Sequence, residues 1–181
     1  IIHDPLSNDW FWLVDPLDGT REFIAGRDEY TVNLALVYQS FPAFGLICVP
    51  ALNTVYWGIK ERGSYRQIGT EAPTRIHTRI APKEGLTVVS SRSHSNKATE
   101  KWLQEMKVAS SEVAGSSLKF CCLAEGRADV YPRMGRTMEW DTGAGHAILS
   151  AAGGRVETTA GNPLSYGKQG FENPNFIAWA K

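Results

Sequence analysis

The sequence predicts an α/β (α+β) fold, a layered α–β sandwich with a mainly antiparallel lobe over residues 1–80 and an α/β lobe over 86–181. Three observations carry this expectation. The first half holds short apolar runs rich in aromatic and β-branched residues, each closed by turn residues. The second half alternates strand-like and helix-like segments. Between them, Gly69 to Gly85 is polar and turn-rich and contains Pro73 and Pro82, which places the lobe boundary there. A length of 181 residues suits one domain or two small lobes sharing a core.

Taken in order, residues 10–15 (Trp-Phe-Trp-Leu-Val-Asp) form a short apolar run ending on a carboxylate, the pattern of a buried strand that delivers a polar group at its tip. Residues 31–38, 44–49 and 54–59 read as further strands, and Pro50 and Asn53 bracket a tight connection, so an antiparallel meander is predicted. In the second half 86–91 reads as a strand. Residues 96–107 read as a helix with apolar Ala98, Trp102, Leu103 and Met106. A second helix spans 117–125 and ends at Gly126, a short strand covers 128–131, and a third helix over 141–152 is closed by Gly153-Gly154. Strands near 155–158 and 175–180 complete the chain.

Composition narrows the function. With 19 basic and 19 acidic side chains there is no broad basic face for nucleic acid or acidic membranes, so any phosphate site must be local. No apolar run reaches 18 residues, and no transmembrane helix is predicted. Residues 1–5 do not resemble a signal peptide. Cys48, Cys121 and Cys122 read as reduced core residues of a cytoplasmic protein.

Asp15-Pro16-Leu17-Asp18-Gly19-Thr20 follows the first strand directly. Pro16 fixes its own φ and moves Asp15 away from helical geometry, while Gly19 permits a reversal. Asp15 and Asp18 can then converge with the Leu17 carbonyl between them, an oxygen set suited to a hard cation such as Mg²⁺. Gly19 and Thr20 offer N–H groups and a hydroxyl to a phosphate. For this hexapeptide alone, an Asx turn with a capping aspartate is the equal alternative. Downstream, Asp141 stands at the start of a helix rich in small residues, where an N-cap role would suffice. Gly143, Ala144 and Gly145 reduce helix propensity on balance, which makes sense if another element approaches closely.

Together these segments resemble the D-P-[ILV]-D-G-T and W-D-x-x-[AG]-G motifs of the inositol-monophosphatase superfamily. The resemblance implies the layered α–β sandwich of the inositol-monophosphatase/sugar-phosphatase type. It implies Asp15, Leu17 (through its carbonyl), Asp18 and Asp141 as metal ligands for two or three Mg²⁺ ions. Thr20 and Asp18 would be catalytic, and Gly19 and Thr20 would hold the phosphate while Thr20 helps to orient the attacking water. The implied reaction is hydrolysis of a phosphomonoester by metal-activated water, with no covalent enzyme intermediate.

Within the superfamily, Thr20-Arg21-Glu22-Phe23-Ile24, Ser91-Arg92-Ser93-His94 and Gly115-Ser116-Ser117-Leu118-Lys119-Phe120-Cys121 are similar to segments of the CysQ-type 3′(2′),5′-bisphosphate nucleotidases. Arg133 stands where an inositol-specific enzyme has an acidic residue, and a guanidinium favours a second phosphate over a polyol. The resemblance thus implies Arg92, His94, Ser116, Ser117, Lys119 and Arg133 as substrate-binding residues. The implied substrate is 3′-phosphoadenosine 5′-phosphate, giving AMP in sulfur metabolism, with inhibition by lithium. The alternatives are an inositol-phosphate or other sugar-phosphate phosphatase of the same superfamily, and a non-catalytic phosphate- and metal-binding chain. The expected partner is a small phosphorylated nucleotide and not a nucleic acid polymer. The expected state is monomer or homodimer, cytoplasmic or peripheral at the inner membrane.

One departure stands against the pattern. Family members carry a Gly-Glu-Glu motif upstream, after two N-terminal helices, and one of its glutamates binds metal and activates water. No residue here fills that role: Asp4 and Asp9 lie too close to the first strand. The chain opens without Met and reads as lacking that segment. The expectation is that the first sheet shows an apolar face to water and that the 181 residues alone self-associate and turn over poorly.

Overall fold

A computed structural model of the chain describes residues 9–90 and 97–181. The first half forms one six-stranded antiparallel meander in sequential order. Its strands are β1 (Trp10–Asp18), β2 (Thr31–Tyr38), β3 (Phe41–Val49), β4 (Thr54–Ile59), β5 (Gly63–Ile68) and β6 (Thr74–Ile76), with a short helix α1 (Thr20–Ile24) between β1 and β2. Pro50–Leu52 make a single 3₁₀ turn, and Asn53 exits it in the left-handed region at φ 47°, so β3 and β4 are joined as tightly as the turn residues predict. β6 lies inside the stretch read as the lobe boundary. Being three residues long at the edge of the sheet, it has no apolar alternation to reveal it.

The second half forms a mixed five-stranded sheet and three helices. In chain order these are β7 (Leu86–Ser90), α2 (Lys97–Gln104), β8 (Val108–Val113), α3 (Leu118–Ala124), β9 (Val130–Arg133), α4 (Glu139–Ala151), β10 (Arg155–Thr158) and β11 (Phe176–Trp179). The strand order is β10-β11-β9-β7-β8. β7 runs parallel to β8 and β9, whereas β11 is antiparallel to β9 and β10. β8 has no counterpart in the sequence reading: at the sheet edge nearly every residue is exposed, so its run Val-Ala-Ser-Ser-Glu-Val carries no buried face to detect.

One core joins both halves. Leu13, Ala35, Val37, Ile47 and Val49 of the first sheet pack in the same cluster as Phe120, Leu123, Ile148, Leu149 and Phe176. The layer between is α4, which lies against the first sheet so closely that side chains are excluded. A Cβ on Gly45 of β3 would fall 2.3 Å from the Ala144 carbonyl oxygen, and one on Gly58 of β4 would fall 2.5 Å from the Ile148 Cα. On the opposite side of the helix, a Cβ on Gly145 would sit 2.3 Å from the Phe120 ring. The small residues of α4 are therefore a packing requirement on two sides. The other face of the first sheet is different: Trp10, Trp12 and Val14 of β1 are each just over half exposed, and Leu34, Leu36, Phe44, Leu46 and Trp57 beside them are only partly buried.

His146, on the buried side of α4, has its Nδ1 3.1 Å from the Tyr166 hydroxyl. Burial holds its pKa down to about 3. In the unfolded chain the imidazole titrates near its ordinary value of about 6.5, so below that pH the unfolded state binds a proton that the folded state refuses. Stability should fall as pH drops from about 6.5 toward 3, by up to about 1.4 kcal/mol per pH unit from this group. Urea titrations across that range should show a steeper loss for the wild type than for His146→Leu. Parallel curves would mean that the ring is protonated in the fold.

Candidate active site

The site is built where β1 ends. β1 pairs with β2 through Asp15 opposite Asn33 and Asp18 opposite Thr31, three residues against two, so the strand is irregular between them. In a regular strand residues 15 and 18 would point to opposite faces. The extra residue, within the Pro16-Leu17 step where Pro16 has no N–H to pair, brings Asp18 round to the side of Asp15. Asp15 Oδ1 accepts the Leu17 N–H at 3.1 Å, so the Asx turn is present and the convergence occurs as well. Gly19 then turns the chain in the left-handed region at φ 83°. A Cβ there would lie 3.2 Å from the Ser116 Cβ and 3.3 Å from the Glu29 carbonyl oxygen. Thr20 begins α1 with its hydroxyl 3.5 Å from the Leu17 carbonyl oxygen.

The third carboxylate comes from α4. The helix starts two residues before the predicted point, with Met138 as N-cap, and Asp141 occupies the third helical position. Its Oδ2 accepts the Met138 N–H at 2.8 Å, which satisfies one free donor of the helix end. One carboxylate oxygen from each of Asp15, Asp18 and Asp141 lies within 4.8 Å of the other two. All three residues are partly buried. Burial first, and then the Asp18 and Asp141 charges, push the Asp15 carboxyl up to about 6. Burial and Asp18 likewise raise Asp141, against the pull of Arg133 and Arg136. An all-oxygen donor set with crowded negative charge fits a hard divalent cation, which would offset that repulsion.

A cavity of about 220 Å³ opens beside these carboxylates, lined by Asp18, Thr20, Glu22, Lys119, Arg133 and Asp141 among others. Lys119 on α3 is almost fully buried, and its Nζ donates to the Ser116 carbonyl at 2.5 Å and lies 5.5 Å from the centre of the Tyr131 ring. Burial lowers its pKa to about 8, with the Asp18 charge acting in the opposite sense. Arg133, at the end of β9, donates through one terminal nitrogen to the Arg136 carbonyl at 3.2 Å, while its Nε is buried with no acceptor. An unmet guanidinium donor at a cavity wall is a position for an anion.

The sequence-predicted residues fall into three groups. Asp15, Asp18 and Asp141 meet, with Gly19, Thr20, Lys119 and Arg133 around the same cavity. Ser116 lines the cavity but turns its hydroxyl to Asp18, and Ser117 is buried behind it against Thr31 and Asn33. Arg92 and His94 lie outside the described residues. Glu22, Thr31 and Asn33 had been given no role by sequence reasoning. Their signal was present: Glu22 is polar yet buried in α1, and Thr31 and Asn33 occupy the same strand face as the buried Ala35 and Val37.

A bulged strand end and a glycine-rich helix that converge three carboxylates beside a cationic cavity define a class, and the sequence profile of the inositol monophosphatase family matches residues 2–180. The chain belongs to the inositol monophosphatase family. It is 41% identical over 167 residues to the 3′(2′),5′-bisphosphate nucleotidase CysQ of Escherichia coli K12, which covers 92% of this chain and 66% of that protein. To the enzyme of the same name from Buchnera aphidicola it is 41% identical over 180 residues, 94% of this chain and 64% of that one. The crystal structure of CysQ from Bacteroides thetaiotaomicron, a bacterial member of the inositol monophosphatase family, superposes with a TM-score of 0.89 at 40% identity, over 98% of this chain and 72% of that one. The layered α/β architecture is thus the one seen in this family. The chain spans about two thirds of the length of the curated relatives it matches.

Proposed function

We propose that this chain carries the metal- and phosphate-binding body of a Mg²⁺-dependent phosphomonoesterase that removes the 3′-phosphate of 3′-phosphoadenosine 5′-phosphate, leaving AMP. The observation that carries the reading is the meeting of three carboxylates within 4.8 Å at a cavity whose wall also holds Lys119 and Arg133. The similarity to enzymes named 3′(2′),5′-bisphosphate nucleotidase supports the substrate class.

Asp15, Asp18 and Asp141, with the Leu17 carbonyl, would hold the cation. Mg²⁺ bound there would polarise the reacting phosphoryl group and activate water. The Thr20 hydroxyl, beside the Leu17 carbonyl, is placed to orient the attacking water, and the Gly19 and Thr20 N–H groups to bind phosphoryl oxygens. Lys119 and Arg133 would take the phosphate that does not react. That division makes Arg133 the residue that separates a bisphosphate from a monophosphate.

Reversing the charge at Arg133 tests this. In an active form of the protein, Arg133→Glu should reduce kcat/KM for 3′-phosphoadenosine 5′-phosphate roughly tenfold to a hundredfold, the loss of one charge-assisted contact of about 1.5–3 kcal/mol. Hydrolysis of inositol monophosphate should change much less. Equal losses on the two substrates would assign Arg133 to structure and remove the argument for a nucleotide bisphosphate.

A further inference from the structure

We propose that Thr31, Asn33, Ser116 and Ser117 form a positioning cluster that fixes the orientation of the Asp18 carboxylate, holding one oxygen so that the other faces the cation. The inference rests on the reading of Asp18 as a metal ligand. The Ser116 hydroxyl donates a short hydrogen bond to Asp18 Oδ2, and the Asn33 amide donates to the same oxygen at 3.4 Å. Behind them Thr31 Oγ1 lies 2.6 Å from Ser116 Oγ, 2.9 Å from Ser117 Oγ and 3.1 Å from Asn33 Oδ1. Ser117 Oγ donates to Asn33 Oδ1 at 2.8 Å.

The acceptor-only carboxylate fixes part of the proton order in this cluster. Ser116 has one hydroxyl proton and gives it to the carboxylate, so in its contact with Thr31 it accepts and Thr31 donates. Asn33 Oδ1 accepts from Ser117, and also from Thr31 when that hydroxyl's single proton is not turned to Ser116. With a hydroxyl donor on one side and a carboxylate on the other, the amide has only one sensible orientation, NH₂ toward Asp18. Two donor routes, Thr31 through Ser116 and Ser117 through the Asn33 amide, therefore converge on Asp18 Oδ2.

The cost of building it argues against simple space filling. Thr31 is fully buried and Asn33 almost so, on the strand face that elsewhere carries Ala35 and Val37, and Ser117, at the start of α3, is nearly as buried. Apolar residues of the same size would bury there without needing partners. Ser116 adopts φ 51°, a left-handed conformation unfavourable for a side chain with Cβ, at the point where Gly19 lets it approach β1. Groups behind a metal-binding carboxylate set its direction, and their loss commonly lowers metal affinity tenfold to a hundredfold.

The test is metal binding without turnover. Mn²⁺, whose free form is counted by electron paramagnetic resonance, is titrated into wild type, Thr31→Val, Thr31→Ser and Ser116→Ala, with thermal melts in chelator to confirm folding. Thr31→Val and Ser116→Ala should bind Mn²⁺ about tenfold to a hundredfold more weakly, and Thr31→Ser should bind it nearly as the wild type does. If Thr31→Val does not fold, Ser116→Ala decides. Wild-type affinity in the folded Val or Ala variants overturns the proposal alone. A wild-type protein that binds no Mn²⁺ overturns the cation reading of the carboxylates, and the proposal with it.

Discussion

In a catalytically active form of the protein, Asp15→Asn should lose at least about a thousandfold in Mg²⁺-dependent phosphate release, more than the tenfold to hundredfold typical of residues that merely support a ligand, and yet melt at a higher temperature than the wild type in metal-free buffer. The two effects share one cause. Asp15 is pressed against Asp18 and Asp141 in a half-buried site, and its pKa stands at about 6 instead of 3.8. The folded state therefore holds that proton more tightly than the unfolded state does between those values, so stability declines as pH rises through them. Above pH 6 the penalty is fully present. Asn keeps the shape and removes the charge, relieving a strain that solvent screening limits to about 1 kcal/mol. Melting with chelator at pH 7.5 should favour the variant, and at pH 5, where the wild-type carboxyl is mostly protonated, the difference should shrink. Turnover that survived the substitution would show that Asp15 is no ligand.

The second large effect falls on folding. Glu139, completely buried at the start of α4, accepts the Gly167 N–H at 2.8 Å and the Lys168 N–H at 3.0 Å, and pairs with the Lys168 ammonium at 2.6 Å. It pins the segment before β11 to the helix that carries Asp141. Glu139→Ala would leave two backbone donors and a cation without their acceptor, and should cost about 3–5 kcal/mol in urea denaturation. The neighbouring Tyr166, which donates to Thr142 at 3.2 Å, would lose its fixed loop, so disorder should spread toward the carboxylates. A loss below about 1 kcal/mol would mean that water readily takes the carboxylate's place as acceptor.

Much of the fold is legible because burial and periodicity coincide. β2 and β4 occupy the residues predicted for them, 31–38 and 54–59, where alternation between a packed and a less packed face is strict. Of the strands, β5, β6 and β8 escaped the sequence because they are polar or lie at sheet edges, so neighbours and not side-chain pattern decide their structure, and the five-residue α1 is too short to show a helical period. At the site, Asp15, Asp18 and Asp141 are legible through their local glycines and proline. Thr31 and Asn33 carried a weaker signal, two polar residues in register with a buried face, whose meaning appears only when Ser116, 85 positions from Thr31, is brought beside them. Ser117 read as a substrate contact for the same reason: a sequence shows that a hydroxyl is present but not which way it is turned.

The open face of the first sheet also gives the molecule a built-in optical gauge. Of its six tryptophans, Trp10, Trp12 and Trp57 lie on that face, Trp10 stacked on Tyr38 at 4.1 Å and Trp57 on Tyr65 at 5.6 Å. Trp102, Trp140 and Trp179 belong to the second half. Indoles in contact with water emit at longer wavelength and yield readily to acrylamide quenching. Whatever comes to rest on this sheet therefore announces itself as a blue shift and a fall in quenching, without a label, above the emission of Trp102, Trp140 and Trp179.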